Sequence, residues 1–183
     1  VREFIFSDTE SAYVANAVSL ISSHLIITPV QMTSLQAAIE RPESYIFMVN
    51  SDGTMAVFNS NRSEKRAGWT QFTTKGFKST TVNTANVTVE TSASFHSVCT
   101  IDEKVFIIGK YDKGNGTKNL CLMEIDNNFN LDHAERKAIS NSLNGVIPIT
   151  SGHFNNGAVV DVIVGTSSTH YIGQFIVSNN EID

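Results

Sequence analysis

The chain is short of several things at once. It holds two cysteines, three prolines and one tryptophan, and only 17% of its 183 residues are charged. Cys99 and Cys121 belong to no CxxC pair and have no neighbouring pair of histidines, which excludes a disulfide framework and a zinc finger. Both stand in alternating apolar runs, FHSVCTI and NLCLMEI, where small buried thiols are expected. The strand-like run Val105–Ile108 lies between them. In a meander the two thiols would sit two strands apart, about 9–10 Å, beyond the ~7 Å that a disulfide tolerates between Cα atoms. They are expected to stay reduced. Apolar runs never exceed a handful of residues, so a membrane-crossing helix is excluded and no membrane insertion is expected. The 13 lysines and arginines are scattered and the net charge is −5, which argues against a sequence-specific reader of nucleic acid.

What is abundant is small and polar. Asn, Ser and Thr make up 54 of the 183 residues, a surplus that suits turns and solvated strand faces better than long helices. With 41% of the chain hydrophobic, there is material for a real core. The chain runs from Val1 straight into a strand-like VREFIFS and shows no signal-peptide pattern. It reads as a piece of a longer polypeptide.

Residues 1–44 hold the only helix candidates. Ser7, Asp8 and Glu10 resemble a helix cap, and Val30, Leu35, Ala38 and Ile39 fit a helical face loosely, so turns with one or two short helices are expected. From Tyr45 the period changes to two. YIFMVN and TMAVFN flank Ser51-Asp52-Gly53, and a glycine there supplies the positive φ that a tight hairpin needs. Further strands are expected at Trp69–Thr74 and Phe77–Thr84, with an edge strand in the polar stretch TANVTVETSA. A meander should follow at Phe95–Ile101, Val105–Tyr111 and Asn119–Asp126. Residues 127–145 are polar and break the pattern. Strands resume at Val146–Thr150, Ala158–Gly165 and Tyr171–Val177. The expected organisation is a mostly antiparallel β domain over 1–126, a polar linker at 127–145 and an additional β segment over 146–183. The fold class is mainly β, built of antiparallel hairpins and meanders, propeller-like or sandwich-like.

No motif for chemistry stands out. His24, His96, His133, His153 and His170 show no HxxxH or HExxH spacing, and no GxSxG, P-loop or GxGxxG occurs. Gly114-Asn115-Gly116 has no helix after it to align N–H groups on a phosphate, so it reads as a hairpin loop. Asp126, Asp132 and Glu135 lack the tight Asp/Asn alternation with glycine of a calcium loop. Asn61-Arg62-Ser63, Asn86-Val87-Thr88 and Asn115-Gly116-Thr117 match the glycosylation pattern at about the rate this composition produces by chance. No catalytic residue, metal ligand or cofactor is expected. Trp69 reads first as core, and with Tyr111 and Tyr171 it forms the only candidate aromatic platform for a ligand.

Four segments taken in order resemble the tail nozzle proteins (tail tubular protein B) of short-tailed bacteriophages. In the first, Val1 to Phe6, Ser7, Asp8, Glu10, Tyr13, Leu20, His24 and Leu25 fill the family's run of Val-Arg-Glu, an apolar triplet, Ser-Asp, an acidic residue, Tyr and a later His-Leu. In the second, Pro42, Asp52, Gly53, Thr54, Glu64, Gly68, Trp69 and Thr70 stand at its Pro, Asp-Gly-Thr hairpin, acidic residue and Gly-Trp-Thr. The third is FHSVCTIDEKVFIIGKYDKGNGTKNLCLMEID, similar to a strand, an acidic turn, a Val-rich strand, a Gly turn and a strand ending near Met-Glu. The last, from Ser151 to Asp183, is similar to a His before an Asn-Gly turn followed by two apolar strands. Lys75-Gly76 stands where the family has Asp-Gly, and residues 84–94 resemble an insertion. The resemblance implies an all-β, propeller-like body assembled in a ring at the distal end of the tail tube. Its partners would be other copies of the subunit and neighbouring tail proteins, and its place the tail of the virion. It would act as a conduit and gate for DNA, not as an enzyme. An acidic lumen would let the duplex slide. The alternative reading is a carbohydrate- or receptor-binding β module using Trp69, Tyr111 and Tyr171.

Overall fold

The computed structural model describes residues 1–76, 78–80, 88–112, 117–125, 134–135, 147–149, 154, 156–165, 169–179 and 181–182. Among them there is no α-helix, only one 3-10 turn at Ser23–Leu25. The protein is mainly β. Its strands are β1 (Arg2–Ser7), β2 (Ala12–Ala17), β3 (Pro29–Leu35), β4 (Ser44–Asn50), β5 (Met55–Asn61), β6 (Arg66–Phe72), β7 (Lys78–Thr80) and β8 (Thr88–Glu90). They continue with β9 (Ala93–Ile101), β10 (Lys104–Asp112), β11 (Lys118–Glu124), β12 (Ile147–Pro148), β13 (Val159–Gly165), β14 (Thr169–Ile176) and β15 (Glu181–Ile182). Hairpin pairing in sequence order links β1 with β2, β7 with β8, and β13 with β14. Meanders run β3-β4-β5-β6 and β11-β10-β9, while β12 pairs with the distant β15.

Two compact units share the chain: residues 1–73 with 95–108, and residues 74–94 with 109–183. The linker expected at 127–145 lies almost wholly outside the described residues.

In the first unit the central strands β4 and β5 carry its most apolar sequence. Phe47, Met48, Val49, Met55, Ala56, Val57 and Phe58 are all buried. Both faces of these strands are covered, which is why they read as continuous apolar runs instead of alternating ones. The Asp52-Gly53 turn has the expected chemistry. Gly53 sits at φ 84°, its N–H donates to the Asn50 carbonyl at 3.1 Å, and the Asn50 N–H donates to Thr54 O at 2.9 Å. This is a type I turn closed by a left-handed glycine. β3 and β9 stand at the ends of their sheets and meet through side chains. Gln31 Oε1 accepts the Val98 N–H at 3.3 Å, and the Thr100 hydroxyl lies 2.9 Å from the Thr33 hydroxyl and donates to Ser34 O at 2.9 Å.

The second unit has its own core. Ala158, Val177 and Ile182 are buried and packed by Ile147, Ile149, Phe154, Val160, Val162 and Phe175. β13 and β14 pair with a bulge between Val162 and Ile163, beside Gly173.

Three expectations are corrected. Residues 29–35 form a strand, not a helix, because they pair with β4 from Pro29↔Asn50 to Leu35↔Tyr45. Ladder hydrogen bonds to a preformed apolar strand outweigh a weak helical pattern. Ile39, read as part of that helical face, is fully exposed beside the small Ala38–Arg41 bridge. The cap-like Ser7 serves a hairpin turn, its Oγ accepting the Glu10 N–H at 3.4 Å. Neither Cys99 nor Cys121 is in a disulfide, and Cys99 is exposed, not buried. The buried residues of β9, Phe95 and Val98, are three apart, so strict alternation fails and Cys99 lands on the open side.

Candidate functional site

Trp69 is set in β6 opposite Phe58, with ring centroids 4.9 Å apart. Its indole N–H donates to Val18 O at 2.8 Å. The ring is half-buried and its single polar handle is occupied, so it anchors the segment after β2 to the sheet. A shallow open depression of about 340 Å³ runs along β6, lined by Asn59, Arg66, Ala67, Gly68, Trp69 and Thr70. A Cβ at Gly68 would meet nothing within 4 Å.

Tyr111 belongs to the second unit and has no exposed surface. Its hydroxyl donates to Met123 Sδ at 3.3 Å and lies 3.3 Å from the buried Thr74 hydroxyl. A ring with no accessible face offers no stacking surface for a sugar.

Tyr171, on β14 of the second unit, is 62% exposed. Its hydroxyl donates to Asp161 Oδ1 at 3.0 Å. That hydrogen bond, reinforced by slight burial and the carboxylate's charge, raises the phenol pKa above its ordinary value. Of the three platform candidates, Tyr171 alone presents an open ring.

His24 lies in the 3-10 turn and His96 in β9, both exposed. His133, His153 and the His170 side chain fall outside the described residues, as do Gly114-Asn115-Gly116, Asp126 and Asp132. Among the described residues no three His, Cys, Asp or Glu side chains gather as a metal site. Asn61, one of the glycosylation matches, is buried, and its Oδ1 accepts the Ser63 hydroxyl at 2.7 Å and the Glu64 N–H at 3.1 Å. It closes the β5–β6 turn.

Two features escaped the sequence reading. Asn50 is 1% exposed and fully bonded. Its Oδ1 accepts the Ile27 N–H at 3.0 Å, and its Nδ2 donates to Leu25 O and Thr54 Oγ1, both at 2.9 Å. One carboxamide thus fastens the 3-10 segment to the hairpin turn. The other feature is the β1–β2 hairpin, which leaves Phe4, Phe6 and Tyr13 exposed. The period-two run VREFIFS was visible, but alternation alone does not say which face is covered.

Structurally this is a mainly-β protein of short antiparallel sheets, with aromatic anchors inside each unit and aromatic side chains left on hairpin surfaces. The chain matches no protein-family model and no curated protein.

Proposed function

We propose that the chain is a structural component of the tail of a short-tailed bacteriophage, of the tail nozzle kind, forming part of a DNA conduit and gate. What carries this reading is the order of the four resembling segments. They fall on β1–β2, on β4–β6, on β9–β11 and on the stretch bearing β13–β14. The four-stranded meander β3–β6 has the strand number of a propeller blade, which supports a propeller-like body. The net charge of −5 suits a wall past which DNA slides without being gripped. In this role the protein is not an enzyme; its partners are further copies of itself and neighbouring tail proteins in the virion.

Electron microscopy of the purified chain tests the proposal. Rings with a central lumen wide enough for duplex DNA, lined by acidic residues, are the expected result. A lumen lined by basic residues, or a ringless protein that binds glycans through Tyr171, would overturn it.

A further inference from the structure

The β1–β2 hairpin has two unlike faces. One turns Glu3 toward the sheet, where its carboxylate meets Arg62 Nη2 at 3.0 Å; on this side Val14 is half-buried and its cross-strand partner Ile5 is the least exposed apolar side chain of β1, at 38%. The other face holds Arg2, Phe4 and Phe6 on β1, opposite Ala17, Ala15 and Tyr13 on β2. There Phe4 is 69%, Phe6 55% and Tyr13 77% exposed, with Phe6 and Tyr13 in an edge-to-face pair 5.4 Å apart. At 150–250 Å² per aromatic side chain, these three present roughly 400 Å² of open surface. That is as large as the main apolar patch of a typical monomer, and about half of what one partner contributes to a standard interface of ~800 Å² per side.

Charge along the hairpin is ordered from end to end. Arg2 marks its open end; Asp8 and Glu10, both exposed, mark its turn end. Arg2 and Asp8 are six residues apart, about 20 Å along an extended strand. A two-fold axis lying across the strands would set a second hairpin face to face and reversed. Each Arg2 would then lie over the other copy's Asp8 and Glu10, with Phe4 of each over Phe6 of the other. The hairpin is complementary to itself in the charge of its two ends, and this face in apolar content, as an isologous contact requires.

We propose that this face binds a second copy of the same chain, the two hairpins packing antiparallel as a two-layer sandwich around Phe4, Phe6 and Tyr13. A second layer is what a two-stranded sheet lacks by itself. The contact closes at two copies and stands independently of the tail reading.

Sedimentation equilibrium of the full chain over a range of concentrations and salt tests it. The expected result is a reversible two-fold pairing, of single chains or of the rings that the tail reading expects, that weakens as salt rises. Arg2→Glu alone, and Asp8→Arg with Glu10→Arg, should each weaken dimerisation by roughly tenfold or more through like-charge contact. All three substitutions together should restore it, which a merely misfolded hairpin could not do. Phe6→Ser with Tyr13→Ser should abolish it. A chain that stays monomeric throughout, or a charge-exchanged triple variant that keeps the summed losses, would overturn the proposal. Rings indifferent to all these substitutions would overturn this contact and leave the conduit reading standing.

Discussion

Single side chains do work here that composition does not announce. Asn50 replaces three water contacts with three internal hydrogen bonds at a buried position. Asn50→Ala would remove the partner of the Leu25 carbonyl and the Ile27 N–H, both part-buried, and leaving such groups unsatisfied costs about 1 kcal/mol, toward the low end of the range for buried ones. Urea denaturation should show a loss of that size, with far-UV circular dichroism unchanged before the transition. Tyr171 offers a cleaner readout because its phenol is exposed. With its folded pKa raised above the usual value of about 10, the fold favours the protonated form. The stabilising contribution is therefore complete below the unfolded pKa and disappears as pH rises through the higher folded one. Asp161→Asn removes the acceptor charge, and ultraviolet titration should then find this tyrosine ionising at lower pH than in the native chain. An unchanged titration curve would mean the Asp161 contact does not form in solution.

Among the elements, turns are the informative parts. The Asp52-Gly53 hairpin was legible because glycine, a flanking aspartate and two apolar runs point to one geometry. The Asp102-Glu103 turn was legible only in place. Both residues adopt positive φ, 47° and 64°, in the two-residue turn joining β9 to β10, a conformation that favours Asn-Gly. Asp102→Asn with Glu103→Gly should raise stability by about 1 kcal/mol by relieving left-handed strain, measured as a shift in the denaturation midpoint. Gly109 in β10 behaves oppositely. A Cβ there would stand 2.6 Å from Tyr111 Cε2 and 2.7 Å from Met123 Cε. The methionine can yield, but the wholly buried Tyr111 ring cannot, so Gly109→Ala should destabilise by about 1–3 kcal/mol as an overpacked core does. β3 shows the converse lesson. Its sequence carries no strong strand signal, and it is a strand because β4 offers it a ladder.

At the scale of the whole molecule, the two units interleave along the chain, each taking a stretch that the other interrupts. No composition shift marks such a division, because every unit uses the same hairpin vocabulary. Surface chemistry is decided at this scale too. Cys99 and Cys121 sit in similar apolar runs, yet one is open and the other half-covered. A thiol titration of the native protein should therefore find two reduced thiols, with Cys99 reacting first. Two equal rates would contradict their unequal burial.

The amino-acid order by itself determined the mainly-β class, the apolar pair β4 and β5, and the Asp52-Gly53 turn, since period-two patterning and positive-φ chemistry are local properties. It also bounded the chemistry, with few cysteines, scattered histidines and no nucleophile–base spacing. Only the tertiary structure decided that residues 29–35 extend, that Asn50 is a buried fastening, that Tyr111 is sealed while Tyr171 is open, and which hairpin face carries its aromatics outward. Each of these depends on what covers a surface, and covering comes from residues distant in sequence, which no local pattern encodes.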